Sequence, residues 1–147
     1  LPDTKLNPKF EHKINFLLEM KDKYFKGENR KTIIVGDFNI APLPDDVWSH
    51  KALLNVVSHT KIETDLLSEI KKNGKWLDTF REIIPSGKLY SWWSYRARDW
   101  KASNRGRRLD HIWASNDLKS KLSRVEIFSE ARGWERPSDH VPILAIF

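Results

Sequence analysis

The feature that most constrains the fold is a run of β-branched apolar side chains at residues 33–35, which follows an amphipathic segment. Such a run is typical of a strand that is buried on both faces. Upstream, apolar residues recur at helical spacing from Phe10 to Tyr24, after a plausible N-cap at Asn7, and Gly27 is the expected end of that helix. A helix that leads into a buried strand predicts a layered α/β domain.

The rest of the chain continues as one domain over residues 1–147, because neither a repeat nor a linker interrupts it. Apolar spacing predicts a helix over 64–72, ended by Gly74, and a second helix over 76–84. Runs of β-compatible residues predict strands over 89–95, 109–114, 125–129 and 141–147. Loops are expected over 41–46 and 96–108.

The composition limits the partners and the chemistry. The formal net charge is +6 and the isoelectric point is about 9.5, which favours a polyanionic partner, although many basic proteins bind none. The absence of cysteine excludes disulfides, a thiolate zinc site and a cysteine nucleophile. No apolar run reaches the roughly 18 residues of a membrane span, so we expect no membrane partner. The chain begins at Leu1 without a signal-peptide pattern, and we expect a fragment of a cytoplasmic protein.

The first candidate site is the segment from Gly36 to Asn39, at the C-terminal end of the predicted buried strand. Ligands bind at that end of the strands in open α/β sheets. Asp37 and Asn39 are two residues apart, so in extended geometry both side chains point to one side, where they could orient a water and a phosphate oxygen. The alternative is an Asx-turn, in which Asp37 merely caps its own backbone.

Two further candidates lie at predicted strand starts. Asp110 begins one strand, and its structural alternative is a salt bridge with Arg107 or Arg108. Asp139 and His140 precede the last strand, where an aspartate could orient an imidazole or bind a metal and the histidine could donate to a developing oxyanion. A histidine in an ordinary polar turn is the alternative for that pair.

The fourth candidate is a stretch from 92 to 108 in which aromatic and basic residues alternate. Residues 96–108 contain six basic side chains and one acidic one, Asp99. Basic side chains bind phosphates and aromatic rings provide stacking surfaces, so the stretch favours nucleic-acid binding. The alternative is a solvated loop beside buried strand aromatics.

The order of these motifs resembles the exonuclease III and abasic-endonuclease family of the endonuclease/exonuclease/phosphatase superfamily. GDFNIAP comes first, followed by SWWSYR, NRGRRLDHIWAS and SDHVPI. The resemblance implies the C-terminal half of a four-layer α/β sandwich of the DNase I-like type, with a mixed, mostly antiparallel sheet flanked by helices. It also implies a bacterial, Mg²⁺-dependent enzyme of DNA repair (Mn²⁺ is the alternative metal). Such an enzyme cleaves double-stranded DNA at abasic sites and removes nucleotides from 3′ ends.

The resemblance also implies roles for single residues. Asp37 would align or deprotonate the attacking water, and Asn39 would help to position it. Asp110 would orient His140, which would contact the scissile phosphate. The expected metal ligands are Asp37, Asn39, Asp139 and His140. Trp92 would pack against the flipped-out abasic sugar, and the other expected DNA contacts are Tyr95, Arg96, Arg98, Asn104, Arg105 and Arg107.

The chain departs from the family pattern in two places. Arg107 stands where some relatives carry a large apolar or aromatic residue. The N-terminal motifs, including a metal-binding glutamate, do not occur, so we expect the fragment to be inactive and to self-associate through an uncovered sheet face. The alternatives are a phosphodiesterase acting on RNA or phospholipid head groups, a non-catalytic DNA-binding fragment, and a structural domain without a ligand.

Overall fold

A computed structural model describes residues 7–23 and 29–147. Five α-helices occur in these ranges: α1 (Pro8–Lys23), α2 (His50–Leu53), α3 (Lys61–Asn73), α4 (Thr79–Ile83) and α5 (Trp100–Ser103). Segments of 3₁₀ helix span Pro44–Asp46, Asn116–Lys121 and Ser129–Gly133. None of the helices in these ranges combines the length and the apolar character that a membrane span requires.

The helix ends follow local sequence signals. The side chain of Asn7 accepts a hydrogen bond from the amide of Lys9, as expected of an N-cap, whereas the predicted end at Gly27 lies outside the described residues. Helix α3 is confirmed and ends at Gly74 as predicted. It begins earlier than predicted because Thr60 and Glu63 form a capping box.

The strands form two antiparallel sheets. A three-stranded sheet has the order β1–β3–β2, with β1 at Ile33–Asp37, β2 at Trp76–Asp78 and β3 at Asp110–Ser115. A two-stranded sheet pairs β4 (Arg124–Ile127) with β5 (Ile143–Ile146). Strands β3, β4 and β5 lie where the sequence predicts them, and every pairing between these strands is antiparallel.

Strand β3 separates two apolar layers because its side chains alternate between the faces of the sheet. Trp113 packs with residues of α1 and α3 on one face. Ile112 packs on the other face with Phe80 of α4 and with side chains of β4 and β5, such as Val125. The order of layers is therefore helices, the three-stranded sheet, and then α4 with the smaller sheet.

The prediction that β1 is buried on both faces is wrong. Ile34 packs against the helical layer, but Ile33 is 46% exposed and Val35 is 66% exposed. Strand β1 lies at the edge of its sheet, and the cluster formed by α4, β4 and β5 packs on β3 and does not cover β1.

Two other predicted elements are also corrected. Residues 76–84 are not one helix, because Trp76 and Leu77 pair with Ser115 and Ala114 of β3 and only then does α4 begin. Residues 89–95 do not form a strand, because pairing in this segment is limited to isolated bridges at Trp92. Short apolar runs are ambiguous between helix and strand, which explains the first error.

A buried ionic cluster joins the three-stranded sheet to the loop after β1. The guanidinium of Arg108, only 2% exposed, donates to both carboxylate oxygens of Asp46 and of Asp78, over distances of 2.7–3.0 Å. Asp46 also accepts a hydrogen bond from Arg81 at 2.6 Å. Arg108 is therefore an interior residue, and it does not contribute to the basic surface that the sequence predicts for residues 96–108.

Candidate functional site

The strand register brings the first two candidate aspartates together. Asp37, the last residue of β1, lies directly opposite Asp110, the first residue of β3. Residues opposite each other in a ladder project from the same face of the sheet. For Asp37 and Asp110 it is the face that carries Ile112, on the side of β4 and β5.

His140 completes the cluster from the loop before β5. Its Nδ1 lies 2.8 Å from Oδ2 of Asp110, and because a carboxylate only accepts, Nδ1 carries the proton. Nε2 of His140 lies 3.7 Å from Oδ2 of Asp37, which is longer than a hydrogen bond. Nε2 thus faces the Asp37 carboxylate without being bonded to it.

The electrostatics of the cluster favour the imidazolium. Partial burial lowers the pKa of His140, but the hydrogen bond to Asp110 and the charges of Asp110, Asp37 and Asp139 outweigh it. The pKa of His140 therefore lies above its ordinary value of 6.5. The charged form can donate from both ring nitrogens, one to Asp110 and one towards a ligand.

The turn after β1 contains the Asx-turn that the sequence analysis gave as the alternative, and Asn39 does not continue the extended strand. The amide of Asn39 donates to Oδ1 of Asp37 at 2.7 Å, which is an Asx-turn. The other oxygen of Asp37, Oδ2, faces His140. Asn39 is exposed and has a φ of 49°, in the left-handed region.

Ser91 is a site-building residue that the sequence analysis did not single out. Its buried Oγ accepts hydrogen bonds from the amides of Leu109 and Asp110, and its carbonyl accepts one from Val141. Ser91 thus links the start of β3 to the loop that carries His140. No local pattern distinguishes this serine from others in the chain.

Trp92 and Asp139 lie beside the cluster and contact each other. The indole Nε1 of Trp92 donates to Oδ2 of Asp139 at 3.0 Å. The backbone of Trp92 forms bridges with Arg107 on one side and His140 on the other. Asp139 is not a member of the cluster that Asp37, Asp110 and His140 form among the described residues, and its metal role stays a prediction.

The predicted DNA-binding residues differ in their exposure and in their contacts within the chain. Arg96, Arg98 and Arg105 are exposed, and Tyr95 is 60% exposed. The Tyr95 hydroxyl donates to the carbonyl of Pro137, and the Arg105 guanidinium lies 4.7 Å from the centre of the ring of Trp48.

The side chains of Asn104 and Arg107 have partners within the chain. Asn104 accepts from the indole of Trp93 at 3.0 Å. Nη1 of Arg107 donates to the carbonyl of Val57 and to the hydroxyl of Ser58, and burial lowers the pKa of Arg107. These contacts hold the loop in place, and direct DNA contact by either residue stays a prediction.

The cluster has a donor set that fits a hard divalent cation. One ligand atom each from Asp37, Asp110 and His140 lies within 4.8 Å of the others. Magnesium sites typically use one or two carboxylates and complete their octahedra with waters and substrate phosphate. The residues present therefore fit a metal that is shared with a bound phosphate, although they do not identify the ion.

Comparisons with known proteins show which family the chain resembles. Residues 12–140 match the Endonuclease/Exonuclease/phosphatase family. Exodeoxyribonuclease III of Haemophilus influenzae is 30% identical over 152 residues, which cover 95% of this chain and 55% of that protein. An AP endonuclease structure from Archaeoglobus fulgidus has a TM-score of 0.89 at 28% identity, covering 96% of this chain and 55% of that one. A 3′ phosphatase from Neisseria, solved with a product DNA hairpin, has a TM-score of 0.84, 28% identity and the same coverage.

The chain thus spans about half the length of the relatives it matches. These likenesses confirm the predicted fold class, the C-terminal part of a DNase I-like α/β sandwich. The family match covers well over half of the residues, and the chain therefore belongs to the Endonuclease/Exonuclease/phosphatase family.

Proposed function

We propose that this chain is part of a Mg²⁺-dependent phosphodiesterase of DNA repair that cleaves duplex DNA at abasic sites and removes nucleotides from 3′ ends. The observation that carries the proposal is the convergence of Asp37, Asp110 and His140 on one rim of the sheet, within reach of a single phosphate. The names of the relatives, an exodeoxyribonuclease and an AP endonuclease, support DNA as the substrate.

In the proposed mechanism, the side chains divide the work of a one-step attack by water on phosphorus. Oδ2 of Asp37, free of the Asx-turn, orients or deprotonates the water. Nε2 of His140 donates to a non-bridging phosphate oxygen as negative charge develops there. Asp110 keeps the proton on Nδ1 and so keeps Nε2 directed at the phosphate. Bound magnesium would neutralise charge on the phosphate and the leaving oxygen, and Asp37, Asn39 and Asp139 remain its proposed ligands. The predicted metal-ligand role of His140 is the alternative to its donor role, because an Nε2 that carries a proton cannot bind a metal.

DNA binding is proposed for the aromatic and basic surface beside this cluster. Trp92 is half-buried next to His140, in a position to pack against an extruded sugar. Arg96, Arg98 and Arg105 are the exposed cations that can bind phosphates, and Tyr95 offers an exposed ring. Asn104 and Arg107 would contribute mainly by shaping the loop.

Self-association and location are further proposals. The exposed side chains of Ile33 and Val35 form an apolar strip on the face of β1, and such strips favour contact with another apolar surface. We expect the 147-residue chain to dimerise through this strip, and a monodisperse monomer in light scattering would contradict that. A cytoplasmic location is proposed on the grounds of the DNA substrate.

The test compares the 147-residue chain with the complete protein encoded by its reading frame, using a duplex with one abasic site and saturating Mg²⁺. The chain alone is expected to cleave little, because the resemblance implies a metal-binding glutamate in N-terminal motifs that do not occur in it, and because it spans about half the length of the relatives it matches. The complete protein should cleave, and its His140→Ala variant should be at least ~30-fold slower, equivalent to ~2 kcal/mol of lost transition-state stabilisation.

Other outcomes would contradict the proposal in distinguishable ways. Preferential hydrolysis of RNA or inositol phosphates by the complete protein would show that DNA is not its substrate. Tight DNA binding without any cleavage would favour a binding module. Near-normal turnover of the His140→Ala variant would remove His140 from the mechanism.

A further inference from the structure

Lys13, a residue that the proposed chemistry does not use, ties the turn after β1 to the helical layer. Nζ of Lys13, on α1, donates to the main-chain carbonyl of Asn39 and to Oε1 of Glu63 on α3. Glu63 is fully buried, and its Oε2 accepts hydrogen bonds from the amides of Ser58 and Thr60. One ammonium group therefore joins the turn, α1 and the N-terminal end of α3.

The contacts of Asn39 fix its backbone in an uncommon conformation. Its φ of 49° lies in the left-handed region, which asparagine adopts more readily than other non-glycine residues but in which it is still a minority conformation, so the contacts around it decide whether it persists. Two contacts fix it here: Asp37 accepts from the amide of Asn39, and Lys13 donates to its carbonyl. Loss of the hydrogen bond from Lys13 would therefore also weaken the hydrogen bond that the Asn39 amide donates to Asp37.

We propose that Lys13, anchored by Glu63, is a positioning residue that holds Asn39 in its left-handed conformation and thereby directs the Asp37 carboxylate at His140. The inference rests on the proposed function of that cluster. An ammonium group suits the task, because it can donate to two acceptors at once and supplies the countercharge that the buried Glu63 requires. A cavity of about 330 Å³ lined by Lys13, Asp37 and Asn39 places the lysine at the edge of the site.

A purely structural role, in which Lys13 only fastens α1 to α3, is the alternative, and the chain offers a control for it at a more exposed ion pair. Lys21 on α1 makes a 2.6 Å ion pair with Glu69 on α3, so it joins the same two helices without contacting the turn. Lys13→Met and Lys21→Met each remove one interhelical ion pair. Only the first should disturb Asn39.

The experiment measures amide hydrogen exchange by NMR in the 147-residue chain. In Lys13→Met the amide of Asn39 should exchange about tenfold faster. Loss of the hydrogen bond from Lys13 to the Asn39 carbonyl allows the turn to open more often, and opening breaks the hydrogen bond from the Asn39 amide to Asp37. Lys21→Met should leave that rate unchanged, and Lys13→Arg should restore most of the protection. Equal Asn39 rates in the two methionine variants would overturn the proposal.

Two further measurements distinguish a failure of this inference from misfolding of the variant and from a failure of the proposed function. If Lys13→Met does not fold, Glu63→Gln, which removes the anchoring charge, should accelerate Asn39 exchange in the same direction, and an unchanged rate would overturn the proposal. In the complete protein, Lys13→Met should lower kcat about tenfold at unchanged KM, whereas Lys21→Met should not. If the wild-type protein does not cleave DNA at all, the proposed function fails, and the amide rates still decide the role of Lys13.

Discussion

Replacement of Arg108 by methionine is expected to destabilise the fold strongly while sparing the DNA-binding surface. Arg108 is almost wholly buried between two carboxylates, Asp46 and Asp78, that are themselves 0% and 7% exposed. Methionine fills similar space but leaves these carboxylates without their main countercharge. Removing one partner of a buried pair costs about 3–5 kcal/mol, and Arg81 remains to compensate Asp46 in part.

The expected loss can be read from urea unfolding at pH 7. A loss of about 4 kcal/mol and a denaturant slope of about 2 kcal/mol per molar predict a midpoint lower by about 2 M urea. The control is Arg124→Met, because the Arg124 side chain is exposed and pairs with Glu126 at the surface. Exposed pairs contribute roughly 0–1 kcal/mol, so the midpoint of this control should hardly change.

The pH dependence of the loss identifies its cause. Burial raises the pKa of Asp78, but the charge and hydrogen bonds of Arg108 outweigh it and hold that pKa below its ordinary value of 3.8. A lowered folded-state pKa contributes stability above the unfolded pKa and loses it as the pH falls through the folded one. In Arg108→Met the uncompensated burial raises the pKa of Asp78 above its ordinary value. The difference between wild type and Arg108→Met should therefore be largest at neutral pH and shrink as the pH falls through this raised pKa and then through the lowered wild-type one. A loss under about 1 kcal/mol, or one independent of pH, would refute the reasoning.

Three other predictions concern the site and its surroundings. Asp110→Asn should lower the pKa of His140 in an NMR titration. Because the folded-state pKa of His140 is raised, Asp110→Asn should also be more destabilising below about pH 6 than above pH 8, and an unchanged pKa would show that the Asp110 contact is unimportant. Ser91→Ala should cost about 1–3 kcal/mol in urea unfolding, since two amides lose their buried acceptor; a neutral result would contradict its linking role. Arg96→Ala and Arg98→Ala should each reduce the slope of log affinity for duplex DNA against log salt by about 0.9, measured by fluorescence anisotropy, and an unaltered slope would place these side chains off the DNA.

The convergence of the site could be predicted from sequence because it follows from strand ends and motif order. The Asp37 motif ends one predicted strand and the Asp110 motif begins another, and the structure pairs them. The approach of His140 could not come from periodicity, since it lies in a loop. It followed only from the resemblance of the Ser138–Val141 motif to the family pattern, and the 2.8 Å contact with Asp110 bears out that pairing.

The errors arose where a distant residue decides the environment. In sequence Arg108 cannot be distinguished from the other basic residues of its stretch. Its guanidinium is buried because it binds Asp46 and Asp78, which are far away in sequence. Val35 looks like a core residue, yet whether it is covered depends on which other layer extends over β1. Local patterns report what a side chain prefers, whereas its partners are set by the tertiary arrangement.

The facing positions of Asp37 and Asp110 have a consequence for how the protein tolerates insertions and deletions. If β1 paired with β3 one residue out of register, its side chains would exchange faces of the sheet. Asp37 would then no longer face His140, and Ile34 would lose its apolar neighbours. A mispaired molecule would therefore lose both its stability and its reactive cluster, and no stable but inactive isomer should accumulate. Changes in length should be accepted in exposed loops between the elements and rejected within either strand.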